Sequence, residues 1–141
     1  MTMVEREITG ADGPYWKGLA QGQLQLPRCR RCRAWHWPAV FRCGHCGAWD
    51  IDWAPVRAEG EIYSWTRTHH GFAGTEGIGV PYVSVVVSLP HAGGRRLLGL
   101  LAGSDSGLRV GAWVRGRIAT TRVGAVDVPA LHWSMVDGAA G

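Results

Sequence analysis

All four cysteines of the chain fall in one short stretch, as Cys29-Arg30-Arg31-Cys32 and, ten residues on, Cys43-Gly44-His45-Cys46. Two residues between thiols let a tight turn aim both sulfurs at one centre, and two such knuckles complete a tetrahedron. The chemistry this predicts is a structural zinc site bound by Cys29, Cys32, Cys43 and Cys46, with no ligand position left for water or substrate. A redox dithiol pair and structural disulfides are the competing readings. Arg33 follows the first pair where Gly47 follows the second, so the first knuckle reads as the less regular.

The same stretch is electrically distinctive. The chain carries a formal charge of +4, and four thiolates around a zinc ion would add about −2, leaving about +2. Arg28, Arg30, Arg31, Arg33 and Arg42 surround the cysteines, and no acidic residue lies between Arg28 and Cys46. A cationic patch of this kind suits phosphates, whether of nucleic acid or of a nucleotide-like cofactor, or an acidic protein surface. Its plainer role is to offset the charge of the metal centre itself.

Other chemistry is thinly represented. The chain has no Gly-x-x-x-x-Gly-Lys, His-Glu-x-x-His or Gly-x-Ser-x-Gly motif. With the cysteines on a metal, no thiol remains as a nucleophile. His69-His70 beside Arg67 is the one dense titratable cluster, and no carboxylate close in sequence orients it. His36 and His45 are surplus to a four-cysteine site and read as surface residues.

These side chains need elements to hold them. With 141 residues, the chain has material for one domain of about 100 residues and an appendage. Its 21 glycines, without a collagen-like period, predict many turns and short strands. No apolar run approaches the roughly 18 residues of a membrane span. The first ten residues carry Glu5, Arg6 and Glu7 and lack an apolar stretch for export. With its cysteines on a metal rather than in disulfides, the chain is expected in the cytoplasm.

A short helix is expected from about Pro14 to Gln21, with Asp12 as its N-cap, and it is too short to stand alone. The segment Ala34 to Phe41 alternates like a ribbon hairpin with Trp35 and Trp37 on one face. A zinc ribbon has almost no core, so those rings must pack on the next domain or on a partner. From Val56 the period is two, with strands at Gly60–His69, Pro81–Leu89, Arg95–Ala102, Ala112–Thr121 and Val126–Ser134. In the first of these, Tyr63, Trp65, Arg67 and His69 should share a face. The loop from Gly71 to Val80 holds four glycines in ten residues and reads as a mobile functional loop or a plain connection. The expected fold is mainly β: tail and helix over 1–27, a four-cysteine ribbon over 28–54, a five-stranded OB-fold barrel over 55–136, and a tail over 137–141. A small open sandwich is the alternative to the barrel.

The order of these pieces resembles the DUF35 family. The resemblance rests on Pro14-Tyr15-Trp16, Leu24-x-Leu26-Pro27-x-Cys29-x-x-Cys32, Trp35-His36-Trp37-Pro38 and Cys43-x-x-Cys46. It continues through Gly60-x-Ile62-Tyr63-Ser64-x-Thr66, Val80-Pro81-Tyr82-Val83 and Val110-Gly111-x-x-Val114. It covers Pro14 to Trp133; Arg33 replaces the usual glycine, and Gly44-His45 stands where proline is common. It implies a helix, a rubredoxin-like zinc ribbon and an OB-fold. It further implies a non-catalytic accessory subunit, in a hetero-oligomer with a thiolase-fold, lipid-transfer-protein-like thiolase or aldolase acting on acyl-CoA thioesters. Steroid or lipid side-chain and polyketide-type metabolism are the settings it implies, with acyl-CoA as a bound ligand. Trp16, Arg30, Arg31, Trp35, Trp37, Arg67, His69 and Phe72 are the side chains placed to contact partner or acyl-CoA. The rival function is binding of single-stranded nucleic acid, with ribbon arginines along the backbone and Tyr63 and Trp65 stacking on bases. Lys17 is the only lysine, which weighs against it.

Overall fold

The computed structural model describes residues 10–136; the expected tails over 1–9 and 137–141 lie outside them. Helix α1 spans Gly13–Ala20 with Pro14 in its first turn. Asp12 occupies the N-cap position, but its carboxylate caps no backbone N–H; Oδ2 accepts from Trp16 Nε1 at 3.0 Å instead. The helix buries Tyr15, Gly18 and Leu19, and eight residues are too few to hold a helix without such docking.

Strands β1 (Gln25–Cys29) and β2 (Ile51–Pro55) pair antiparallel, setting Leu26 against Ala54 and Cys29 against Ile51. These two strands frame the cysteine stretch. The hairpin expected over Ala34 to Phe41 does not form. One bridge, Arg28 to Trp35, is all that this arm contributes as ladder. The reason is that β1 already has β2 on one edge, and the arm meets its other edge at that one bridge, where Cys29 N–H donates to Ala34 O and His36 N–H to Pro27 O, both at 2.9 Å. Pro38, with no N–H, cannot extend the ladder.

The remaining strands are β3 (Glu59–Thr68), β4 (Tyr82–Leu89), β5 (Arg95–Leu101), β6 (Trp113–Val123) and β7 (Val126–Met135). They close into a barrel in the order β3-β4-β5-β7-β6, with β6 returning to pair with β3. Only β5 and β7 pair parallel. The five-stranded closed barrel takes the place of the open-sandwich alternative, and closure leaves no free sheet edge. Along β4 the burial strictly alternates, Val83, Val85, Val87 and Leu89 facing in. Trp133 is fully buried at the centre with Ile62, Leu97, Val114 and Leu131 around it. It fits because its neighbours are glycines. A Cβ on Gly99 would stand 2.7 Å from Trp133 Cδ1, and one on Gly116 would stand 3.0 Å from Cζ3.

Strand β3 departs from simple alternation. Its register against β4 shifts between Ile62 and Ser64, leaving Tyr63 as the extra residue of a bulge. Trp65 and Arg67 therefore pair with the inward-facing Val85 and Val83, whereas Tyr63 stands half exposed outside with Arg96 3.7 Å over its ring. The face expected to hold Tyr63, Trp65 and Arg67 together is broken by that one residue.

Candidate functional site

Each cysteine knuckle is built from the same sequence, Arg-Cys-x-x-Cys-x-Ala-Trp, at Arg28–Trp35 and again at Arg42–Trp49. The local geometry repeats bond for bond. Cys29 N–H donates to Ala34 O at 2.9 Å and Arg33 N–H to Cys29 O at 3.0 Å; Cys43 N–H donates to Ala48 O at 2.9 Å and Gly47 N–H to Cys43 O at 2.9 Å. Arg28 Nε donates to Arg33 O at 2.9 Å, and Arg42 Nε to Gly47 O at 2.7 Å. Each arginine also lies over its own tryptophan, Arg28 at 4.6 Å from the Trp35 ring and Arg42 at 5.4 Å from Trp49. The turn needs a left-handed residue after the second cysteine. Gly47 supplies it freely at φ 79°, and Arg33 adopts it at φ 68°, a conformation uncommon for a side chain with a Cβ.

The knuckles bring the four thiols together, with all four Sγ atoms within 4.8 Å of one another. Cys29 Sγ is 3.6 Å from Cys46 Sγ, and Cys32 Sγ is 3.6 Å from Cys43 Sγ. A tetrahedron of thiolates with metal–sulfur bonds of about 2.3 Å has edges of about 3.8 Å, so the donor set fits a zinc ion. All four cysteines are free thiols. Electrostatics favours ionisation at the first cysteine of each pair. The Cys43 thiol is brought down to about 5, first by the Cys46 backbone N–H and also by the His45 N–H and the His36 ring. Cys29 is lowered likewise, first by the Cys32 N–H. Apart from these sulfurs the knuckles themselves bury little, Ala48 with Ile51 beside it.

His36, expected at the surface, is buried at 8% exposure, with Nε2 3.3 Å from Cys43 Sγ. The arm that carries it is pressed between the knuckle and the barrel, so both faces are covered. His45 is exposed, as expected. The arginine patch is tempered by a carboxylate from β2, since Arg30 lies 3.4 Å from Asp52.

Trp35 and Trp37, expected to pack on the next domain or on a partner, find their cover within the chain, and so does Trp16. Trp16, Trp35 and Trp37 all pack half-buried against the barrel core. The Trp37 ring stands 4.5 Å from Tyr15, Arg95 Nε donates to Trp35 O at 2.8 Å, and Gly93 lies against the Trp35 ring. Burial beside these rings pushes the Tyr15 hydroxyl up to about 12. The aromatic residues that do stand out from the ribbon are Trp49 at 73% and Phe41 at 64% exposure. The repeat itself carried that signal: it places Trp35 and Trp49 equivalently, and only Trp35 has a barrel to meet.

A second feature lies at the far end of the β4–β5 hairpin, about 20 Å along the strands from the Trp35 contact. There a cavity of about 550 Å³ opens between the Gly71–Val80 loop and the β6–β7 hairpin, lined by Arg67, Ile78, Tyr82, Asp105, Thr121 and His132 among others. The loop is latched over it, with Gly124 N–H donating to Gly74 O at 2.9 Å. Arg67 Nη2 donates to Asp105 Oδ2 at 2.6 Å, and Arg122 Nη1 to Asp127 Oδ1 at 3.2 Å. His69 and Phe72 are exposed on the loop side and do not line the cavity. The expected contact residues thus fall into two groups at opposite ends of the barrel, with Trp16, Arg30, Arg31, Trp35 and Trp37 at one and Arg67, His69 and Phe72 at the other.

His132 Nε2 lies 2.6 Å from Thr121 Oγ1 inside this cavity. Burial first, and the Arg117 charge second, hold its imidazole below the ordinary value of 6.5. The unfolded chain therefore binds that proton more readily, so the contribution of His132 to stability is complete above about pH 6.5 and declines as pH falls below it. In an NMR titration the midpoint of its ring protons should fall below 6.5, and Arg117→Gln should raise that midpoint part of the way back. A midpoint at or above 6.5 would contradict this placement.

Fold and site define a two-part class of protein, a four-cysteine ribbon strapped to an OB-fold barrel. Residues 53–119 match the family model of the ChsH2 C-terminal OB-fold domain. Over 99 residues the chain is 30% identical to a probable enoyl-CoA hydratase alpha subunit of Thermomonospora curvata, an alignment that takes in 70% of this chain and 30% of the relative. Among solved structures, the Ltp2-ChsH2(DUF35) aldolase superposes with a TM-score of 0.75 at 23% identity, over 96% of this chain and 98% of that one. A DUF35 protein of unknown function from Sulfolobus solfataricus gives 0.59 at 19% identity, over 94% and 90% of the two chains. Residues 53–119, just under half of the chain, thus match a ChsH2-type OB-fold domain, and the described chain shares its fold with solved DUF35 proteins. No helix among the described residues is long and apolar enough to cross a membrane.

Proposed function

We propose that this chain is a non-catalytic accessory subunit of an acyl-CoA enzyme of the thiolase fold, built around one structural zinc ion bound by Cys29, Cys32, Cys43 and Cys46. The helix–ribbon end docks on the enzyme, and the cavity end, with Arg67, His69 and Phe72, meets the acyl-CoA substrate. Supporting the acyl-CoA half is the 30% identity to a subunit named for enoyl-CoA chemistry. Supporting the partnership is the shared fold with a DUF35 component of an aldolase.

One observation carries the docking half. Trp49 is presented by the same knuckle geometry that seats Trp35 on the barrel, yet it stands 73% exposed with Phe41 at 64% nearby in the knuckle sequence and Arg42 over its ring. Tryptophan and arginine dominate interface energetics. The cavity's two arginines are each held by a carboxylate, Arg67 by Asp105 of the lining and Arg122 by Asp127 outside it, which suits ligand contact better than proton transfer. Binding of single-stranded nucleic acid is less well supported, because Trp65 turns inward and leaves Tyr63 alone of the two expected stacking rings. The test is reconstitution, with turnover of an acyl-CoA thioester by a thiolase-fold enzyme measured with and without this chain.

A further inference from the structure

Among the four thiols, Cys43 is set apart by a side-chain neighbour from outside the knuckles. Its Sγ lies 3.3 Å from His36 Nε2 and 3.4 Å from the Cys46 backbone nitrogen. The imidazole is not a fifth ligand, because the atoms that fall within 4.8 Å of one another are the four sulfurs alone. A thiolate has only lone pairs to offer. With Cys43 ionised on a metal, Nε2 must therefore carry the hydrogen and donate it.

The position of that ring is set by β1, the barrel and α1 together. His36 N–H donates to Pro27 O at 2.9 Å, and its two neighbours are both strapped down. Trp35 O accepts from Arg95 Nε at 2.8 Å, and the Trp37 ring stands 4.5 Å from Tyr15 of α1. Helix, barrel and metal centre thus meet in three consecutive residues.

We infer that His36 is a positioning residue of the metal centre: its Nε2–H fixes Cys43 Sγ and draws charge from it, so that the ribbon's grip on its metal depends on the arm docked to the barrel. This rests on the metal reading above. Outer-shell donors of this kind typically change metal affinity by about 10–100-fold when removed.

The experiment uses the full chain loaded with cobalt(II) or zinc, and two substitutions. His36→Leu fills the space without a donor, and His36→Gln restores an N–H close to the place of Nε2. His36→Leu should weaken zinc binding by about 10–100-fold against a competing chelator. It should also move the thiolate-to-cobalt charge-transfer band to lower energy, because a sulfur without the donor gives up its electrons more easily. His36→Gln should recover most of both effects, and a Leu variant that takes up no cobalt beside a Gln variant with the parental spectrum would say the same. The inference is overturned if His36→Leu keeps the parental affinity and band, or if Leu and Gln are equally impaired, which would make His36 a matter of shape. Parental protein that takes up no cobalt would instead overturn the metal reading, and this inference with it.

Discussion

A Cys43→Ser variant is expected to lose its metal and its ribbon while the barrel stands. The cysteine knuckles have little apolar cover of their own, since their buried cluster is Cys29, Cys43 and Ala48 with Cys32 and Ile51 alongside. In small modules of this kind the free energy of metal binding is the free energy of folding. The barrel has a core of its own in Ile62, Val85, Val87, Leu89, Leu97, Val114, Leu131 and Trp133. Elemental analysis should find about one zinc per parental chain and none in the variant. Backbone amide spectra should lose the dispersed resonances of residues 28–50 and keep those of β3 to β7. A metal-free variant with an intact ribbon spectrum would show that the thiols pack the knuckles without a metal.

The second large effect separates two kinds of tryptophan. Trp35→Ala with Trp37→Ala removes rings that lie on the barrel core and on α1, so it should act on folding. Full burial makes a Trp→Ala change worth roughly 3–5 kcal/mol, and for this half-buried pair together about 3 kcal/mol is expected in denaturant unfolding. Trp49→Ala should behave oppositely. At 73% exposure the ring contributes little to the fold, and stability should stay within about 0.5 kcal/mol of the parent. As an interface anchor its loss should cost about 2 kcal/mol of association, roughly 30-fold in Kd, when the partner enzyme is titrated with the chain. Unchanged affinity in Trp49→Ala would remove the ribbon tip from the docking surface.

Much of this arrangement can be read in the residues. The Cys-x-x-Cys spacing is a local geometric requirement, so it identifies the metal cluster without knowledge of the fold. The inward Val83, Val85, Val87 and Leu89 of β4 follow a strict period of two, and the strand shows accordingly. Tyr63 leaves the face that alternation predicts because a bulge adds one residue to one strand only, and hydropathy carries no trace of it until the register against β4 is known. His36 departs from its expected exposure for a different reason. In Trp35-His36-Trp37 the alternation puts the imidazole opposite the rings, on what would be the open face of a hairpin. The knuckle of Cys43 covers that face, and only tertiary structure brings it there. Likewise, Trp16, Trp35 and Trp37 find cover within the chain because α1 and the arm converge on the barrel, a long-range contact with no sequence period. The Arg-Cys-x-x-Cys-x-Ala-Trp repeat, by contrast, lay open in the sequence, and it separates Trp49 from Trp35 once the barrel is in place.

The central claim, that the chain serves an acyl-CoA enzyme rather than acting alone, is tested most directly by reconstitution. The zinc-loaded chain and a thiolase-fold enzyme purified with it from the native source are assayed on acyl-CoA thioesters separately and together, with the mass of the mixture measured under native conditions. The account predicts a stable hetero-oligomer, no turnover by the chain alone, and a higher rate for the pair than for the enzyme alone. A chain that stays monomeric beside the enzyme and leaves its rate unchanged, or one that turns over acyl-CoA unaided, would contradict it.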